Sequence, residues 1–360
     1  MSVQVSYKKQ IIFFIILILI SLIVFEMAAR AYDFYYPNCK FLKSEVFDGI
    51  ENELKLDICR DNNALKWNTN PLYLIPNQNF KTININSDGF RGNELQIDPD
   101  YRIFLIGGST TFGSGSTSDS TTIPYFLQEK LINQFSNLNI EVINAGIPQA
   151  YSFTESNLIE EKILLHSPNM LIVYDGWNDL EQDFKSYELG TDPILLDKIV
   201  RTIGKSDYVT PKILLTYYFN LKHDTMNILE FDNSNMEEKV IAWKTNWKEV
   251  CKLGIESNFK VIVTLQPLVG TGNKILSSEE LTYFEKFDGQ SKIKNYNSYL
   301  NGLNELNSKC SATFNLQNIF DSNSETIFYD FGHVGDYGNQ IIANDIYEKI
   351  LPIILEDISK

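Results

Sequence analysis

Histidine is scarce in this chain, with three in 360 residues, and positive charge is in deficit. The 31 lysines and arginines stand against 46 aspartates and glutamates, a formal net charge of −15 at pH 7. Without a basic surplus to neutralise phosphates, nonspecific nucleic-acid binding is excluded and no nucleic-acid partner is expected. Cysteine is sparse too. The four, Cys39, Cys59, Cys251 and Cys310, never stand two to four residues apart, so they lack the close pairing of a zinc site. Gly108 to Gly113 has the glycine spacing of a phosphate loop, but Ser114-Gly115 stands where lysine and serine or threonine belong. The chain has no internal repeat and no low-complexity tract.

What is present is apolar and aromatic. Hydrophobic residues make up 44% of the chain and aromatic ones 13%, enough for a large core and a globular class. Lys8-Lys9 precede an apolar run from Ile11 to Phe25, broken only by Ser21. As a helix that run is about 22 Å long, and extension to Ala29 makes it about 28 Å, close to the hydrocarbon thickness of a bilayer. Three readings compete here: an uncleaved anchor, a cleaved signal peptide ending at Ala29-Arg30-Ala31, and a buried core helix. Arg30 inside that site and Glu26 before it weigh against cleavage, so residues 1–30 are expected to be a cytoplasmic tip and a transmembrane anchor. Positive charge ahead of the helix predicts a cytoplasmic N-terminus and an extracytoplasmic main domain, in a single-pass membrane protein. Outside the cytoplasm the even cysteine count allows two disulfides, Cys39–Cys59 being favoured by proximity, and four buried thiols are the alternative.

Residues 31–98 are rich in tyrosine, asparagine and proline and read as a juxtamembrane extension. Within them Asn86-Ser87-Asp88-Gly89-Phe90-Arg91-Gly92 signals a tight turn at its Asp-Gly pair. From Tyr101 onward short apolar runs alternate with helical periodicity. Strands are expected at Arg102–Ile106, Ile140–Ala145, Met170–Tyr174, Lys260–Leu265 and Thr313–Leu316. Helices are expected at Ile123–Phe135, Thr154–His166, Glu237–Ser257 and Tyr337–Leu351, the last stopped by Pro352. Short apolar strands separated by helices define an α/β fold, a three-layer sandwich on a central five-stranded parallel sheet. In such sheets ligands bind beyond the carboxyl ends of the strands. Residues 99–360 form this domain, with an insertion over about 180–236 that is either a cap or a packed helical elaboration.

Four fragments carry chemistry. Gly107-Gly108-Ser109-Thr110 follows the first strand, where glycines permit a sharp turn that exposes the serine. Asn144-Ala145-Gly146 follows the second strand, and Gly176-Trp177-Asn178-Asp179 the third. A glycine N–H and an asparagine amide there can donate to an oxygen that gains negative charge. Near the C-terminus, Asp330 precedes His333 by three residues, so one turn lets the carboxylate hold the imidazole in a single tautomer. His166, at the end of a helical stretch, reads as a helix-terminal cation. His223, between Lys222 and Asp224, reads as solvated. Trp177 reads as a packing or substrate-stacking residue.

At these four places, over about residues 100 to 355, the chain resembles the SGNH (GDSL-like) hydrolase family, whose four blocks are named for Ser, Gly, Asn and His. Order, strand-end placement and the Asp-x-x-His form agree. The family's Gly-Asp-Ser is Gly-Gly-Ser here, a variation found in membrane-tethered and secreted branches. The Asn86–Gly92 turn looks like a segment upstream of the first block in such branches. The resemblance implies a flavodoxin-like fold, Ser109 as nucleophile, His333 as base and Asp330 as its orienter. It implies an oxyanion hole from the Ser109 N–H, the Gly146 N–H and the Asn178 amide, with no cofactor and no metal. The expected reaction is hydrolysis of an ester through an acyl-enzyme, with an acetylated surface glycan or another small acyl ester as substrate. Polysaccharide O-acetyl transfer by the same triad and a noncatalytic binding module of the same fold are the rivals.

Overall fold

The structure is a computed structural model that describes residues 6–36, 39–69, 71–181, 203, 208–215, 217 and 236–359. The chain forms two compact units, one of Met1–Cys39 with Asp183–Glu230 and one of Lys40–Gln182 with Phe231–Lys360.

In the smaller unit a helix runs from Tyr7 to Tyr35, with a mean hydropathy of 3.0 over its most apolar window and none of that window buried. It is long and apolar enough to cross a membrane. Near its end Arg30 pairs with Glu26 at 2.9 Å, and the Glu26 carboxylate accepts the Val209 and Thr210 N–H groups. Most of the insertion expected over 180–236, His223 included, lies outside the described residues.

The larger unit is built on five parallel strands: β1 (Tyr101–Gly107), β2 (Ile140–Gly146), β3 (Met170–Asp175), β4 (Lys260–Leu265) and β5 (Ala312–Asn315). Their spatial order is β2-β1-β3-β4-β5, and helices flank the sheet, so the α/β expectation holds. Ile103, Phe104, Leu105 and Ile106 of β1 and Met170 to Val173 of β3 are fully buried, as runs covered on both faces must be. The helix Ile123–Gln134 presents Ile123, Leu127 and Leu131 to this core, all at 0% exposure, and packs on β2 and on the helix Asp336–Ile358. The helix Met236–Ser257 packs on β4 and on the helices Ser152–Glu161 and Ser298–Leu306. In this strand order the direction of winding reverses between β1 and β3, where a crevice opens beyond the strand ends. Gly107 pairs in register with Gly146 on one side and Tyr174 on the other, so the three loops that follow leave the sheet at one level.

The segment read as a juxtamembrane extension, 31–98, contributes apolar residues to the main core. From Lys40 it belongs to the larger unit, where Leu65, Leu74, Ile83, Ile85 and Phe90 join the main core. Scattered apolar residues without period hid this, because each is anchored singly from a turn or a short hairpin. The last helix also departs from expectation. It runs through Pro352 to Ile358, because Ile350 and Ile354 on either side are fully buried. That burial outweighs the roughly 3 kcal/mol a proline costs inside a helix. At the end of its helical turn His166 lies beside Phe90 and Phe104, where burial lowers its pKa below the usual value, with Asp88 Oδ1 3.8 Å from Nε2 opposing that shift. Cys251 and Cys310 form a disulfide, and Cys39 and Cys59 are each disulfide-bonded. No cysteine among the described residues is free, which is the disulfide reading of the even count and not the buried-thiol alternative.

Candidate active site

Ser109 opens a one-turn helix, Ser109–Phe112, directly after β1. Gly108 leaves the turn no room for a side chain: a Cβ there would stand 2.3 Å from Asn178 Nδ2. Its bare backbone therefore lets the loops after β1 and β3 close together. Ser109 Oγ lies 2.6 Å from His333 Nε2, and His333 Nδ1 lies 2.7 Å from Asp330 Oδ2. The other oxygen of Asp330 accepts the N–H groups of Gly332 at 3.0 Å and His333 at 2.8 Å. A serine and a histidine 224 positions apart in sequence thus join the local Asp330–His333 pair in one hydrogen-bonded chain. Burial opposes ionisation of Asp330, but the His333 charge, its ring hydrogen bond and these two N–H donors outweigh it. The carboxyl is held below the usual range. A carboxylate so fixed keeps the proton on Nδ1, leaving Nε2 to accept the serine proton.

The imidazole is also held by rings. Tyr329 lies parallel to it at 5.5 Å between centroids, and Trp177 meets it edge-on at 5.0 Å. Trp177 is thus a packing residue against the base, one of the two roles its sequence position suggested.

Asn178 lies in the first turn of the helix Trp177–Glu181 after β3, and its Nδ2 donates to Ala150 O at 2.5 Å. An amide carries two donors, so this bond orients the group and leaves one N–H for a ligand. Gly146 is different and corrects the sequence reading. Its N–H donates to Asn144 Oδ1 at 3.1 Å, and a Cβ there would sit 2.2 Å from the Phe112 nitrogen. Gly146 is a glycine because the nucleophile turn packs on its backbone, and its amide is spent inside the fold. The loop after β2 carries instead an exposed residue, Gln149, at φ 68, whose N–H makes no hydrogen bond among the described residues. A glutamine in the left-handed region is unusual and marks a strained position. Sequence reasoning missed it because nothing in the glutamine side chain favours that conformation.

Behind Asn178 lie three buried carboxyl groups. Asp175 accepts the indole N–H groups of Trp243 at 3.1 Å and Trp247 at 3.3 Å. Asp179 accepts the Ser152 N–H at 3.0 Å and its hydroxyl at 2.5 Å, tying the loop after β2 to the loop after β3. Glu155 has no hydrogen-bond partner for either carboxylate oxygen among the described residues. Burial, then the charges of Asp175 and Asp179, pushes its carboxyl well above the usual range. A carboxyl raised in the folded state contributes most to stability below its unfolded value and loses that contribution as pH rises toward the folded one. Glu155→Gln is therefore expected to stabilise the fold at pH 8, by about 1.4 kcal/mol for each pKa unit relieved, and so raise Tm there, and to change Tm little at pH 4. Thermal melts of both proteins across that range check this, and parallel curves would count against it.

No family model matches this chain, and no curated protein matches it. Among solved structures, an acetyl xylan esterase is 16% identical, with 69% of this chain and 99% of the other covered, at a TM-score of 0.42. A variant of an acetyl xylan esterase from Geobacillus stearothermophilus is 14% identical, covering 71% and 96%, with a TM-score of 0.43. A protein described as lipolytic and of the G-D-S-L family, from Desulfitobacterium hafniense, is 12% identical, covering 69% and 99%, with a TM-score of 0.40. These likenesses are loose.

Proposed function

We propose that this protein is a serine ester hydrolase held to a membrane by the helix Tyr7–Tyr35, with its catalytic unit outside the cytoplasm. The observation that carries the reading is the unbroken chain Ser109–His333–Asp330, with links of 2.6 and 2.7 Å, at the carboxyl end of a parallel sheet. Ser109 Oγ attacks the acyl carbonyl as His333 Nε2 takes its proton. His333 then returns that proton to the leaving alcohol, and the acyl group remains on Ser109. Water, deprotonated by the same nitrogen, attacks the acyl carbon, and His333 passes that proton to Ser109 Oγ as the bond to the serine breaks and the acid leaves. The Ser109 N–H and the free N–H of the Asn178 amide stabilise the oxygen that becomes negative, and neither a cofactor nor a metal is needed for these steps. The substrate class is a short acyl ester, with an acetylated surface glycan as the natural candidate for an enzyme facing outward.

The test uses full-length protein in detergent, a short-chain aryl acetate and an O-acetylated oligosaccharide, with free acetate measured. Aryl ester hydrolysis with release of free acetate is expected. Asn178→Ala is expected to keep the fold and lose about 10²–10³ in kcat. A folded protein that turns over neither ester would overturn the reading. Acetyl appearing on an added sugar, in place of free acetate, would reassign the same triad to transfer.

A further inference from the structure

The Asn86–Gly92 turn stands apart from the four chemical fragments in sequence, yet one of its side chains reaches the turn that bears the nucleophile. Arg91 is buried, its side chain 1% exposed. Its Nη1 donates to the carbonyl oxygens of Phe112 at 3.0 Å and Gly113 at 2.8 Å, where the Ser109 turn ends. Its Nε donates to Asp119 Oδ1 at 2.7 Å, and its Nη2 to Thr82 O at 3.0 Å. The guanidinium lies 4.8 Å over the Phe112 ring. The Arg91 backbone N–H reaches Asn144 O at 3.2 Å, and Asn144 Nδ2 donates to Phe112 O at 3.1 Å.

The helix that bears Ser109 has four residues. A helix that short has no cooperative stability of its own, and the carbonyls at its end lack intrahelical partners. Arg91 supplies both needs at once, with donors for two of those carbonyls and a positive charge at the negative end of the turn. Only a planar fork makes these bonds together. A lysine ammonium is a point charge and cannot span Phe112, Gly113, Asp119 and Thr82.

Resting on the assignment of Ser109 as nucleophile, we infer that Arg91 is a positioning residue that fixes the Ser109 turn against His333. The Asn86–Gly92 segment exists in this chain to deliver it. The turn itself is braced from within, since Asn86 Oδ1 accepts the N–H groups of Asp88 and Phe90, and Asn86 Nδ2 donates to Asn93 O at 2.8 Å. Phe90 beside Arg91 is buried against Phe104 of β1, which anchors the turn to the strand that leads to Ser109.

The experiment compares wild type, Arg91→Met and Arg91→Lys in full-length protein. It measures kcat and KM for an aryl acetate and the rate at which a fluorophosphonate probe labels Ser109. A displacement of about 1 Å at a reacting atom can cost on the order of 10²-fold. Arg91→Met is expected to lose about that factor in kcat and in labelling rate while KM stays near wild type, and Arg91→Lys to recover only part of it. Loss of stability alone would lower the active fraction without changing the labelling rate of the folded fraction. A folded Arg91→Met with wild-type kcat and labelling rate overturns the inference. Should Arg91→Met fail to fold, Asp119→Asn loosens the Nε anchor while keeping its shape. Slower labelling of that variant supports the inference, and an unchanged rate overturns it. Wild type that the probe never labels would instead remove the nucleophile assignment.

Discussion

Ser109→Ala and His333→Ala are each expected to lower kcat for a short-chain aryl ester by about 10⁶, the scale seen when a nucleophile or its base is removed. Neither change disturbs the core. Ser109 and His333 are only partly buried, and their shared link is a single hydrogen bond of 2.6 Å at the rim of the sheet. Far-ultraviolet circular dichroism and Tm should therefore stay close to wild type. Because the two groups act as a unit, the double variant is expected to lose no more than either single one. A double loss equal to the product of the single losses would mean that serine and histidine act independently. A well-folded Ser109→Ala protein with full esterase activity would mean that the nucleophile lies elsewhere.

Asp330→Asn is expected to lower kcat by about 10⁴ with the fold retained, for a reason that lies in the imidazole. The carboxylate accepts from Nδ1 at 2.7 Å, whereas an asparagine amide can place an N–H there instead. That N–H would donate to Nδ1, drive the ring proton to Nε2 and leave no lone pair for the Ser109 hydroxyl. The two backbone bonds from Gly332 and His333 survive, since an amide oxygen accepts them as well. Stability adds a second readout. The Asp330 carboxyl is more acidic in the folded protein, so its contribution is present at neutral pH and is lost as pH falls below about 4. Melting temperatures of wild type and variant should differ at pH 7 and converge in acid. A loss under tenfold in kcat, measured at saturating ester, would show that Asp330 does not set the tautomer.

Much of this arrangement is legible in the amino-acid sequence. The five strands were readable because a parallel sheet covered on both faces demands continuous apolar runs, and Arg102–Ile106 and Met170–Tyr174 are such runs. Asp330 and His333 were readable as a pair because three residues of separation bring side chains together locally. Ser109 and Asn178 were readable as neighbours at one sheet edge because both follow apolar strands, and strand ends in such a sheet share that edge. The apolar stretch Ile11–Phe25 needed only its length and composition to be read as a candidate span.

Tertiary structure decided what depends on groups distant in sequence. Gly146 looked like a donor until Asn144 and the Phe112 backbone were found around it. Gln149 looked ordinary, since a positive φ is imposed by the loop and leaves no trace in the side chain. Pro352 reads as a stop, and only the buried flanks at Ile350 and Ile354 explain why the helix continues. Arg91 looked like part of a tight turn. Its partners Thr82, Phe112, Gly113 and Asp119 are brought together only by the fold, because hydrogen bonds across such separations carry no periodicity for a sequence to show.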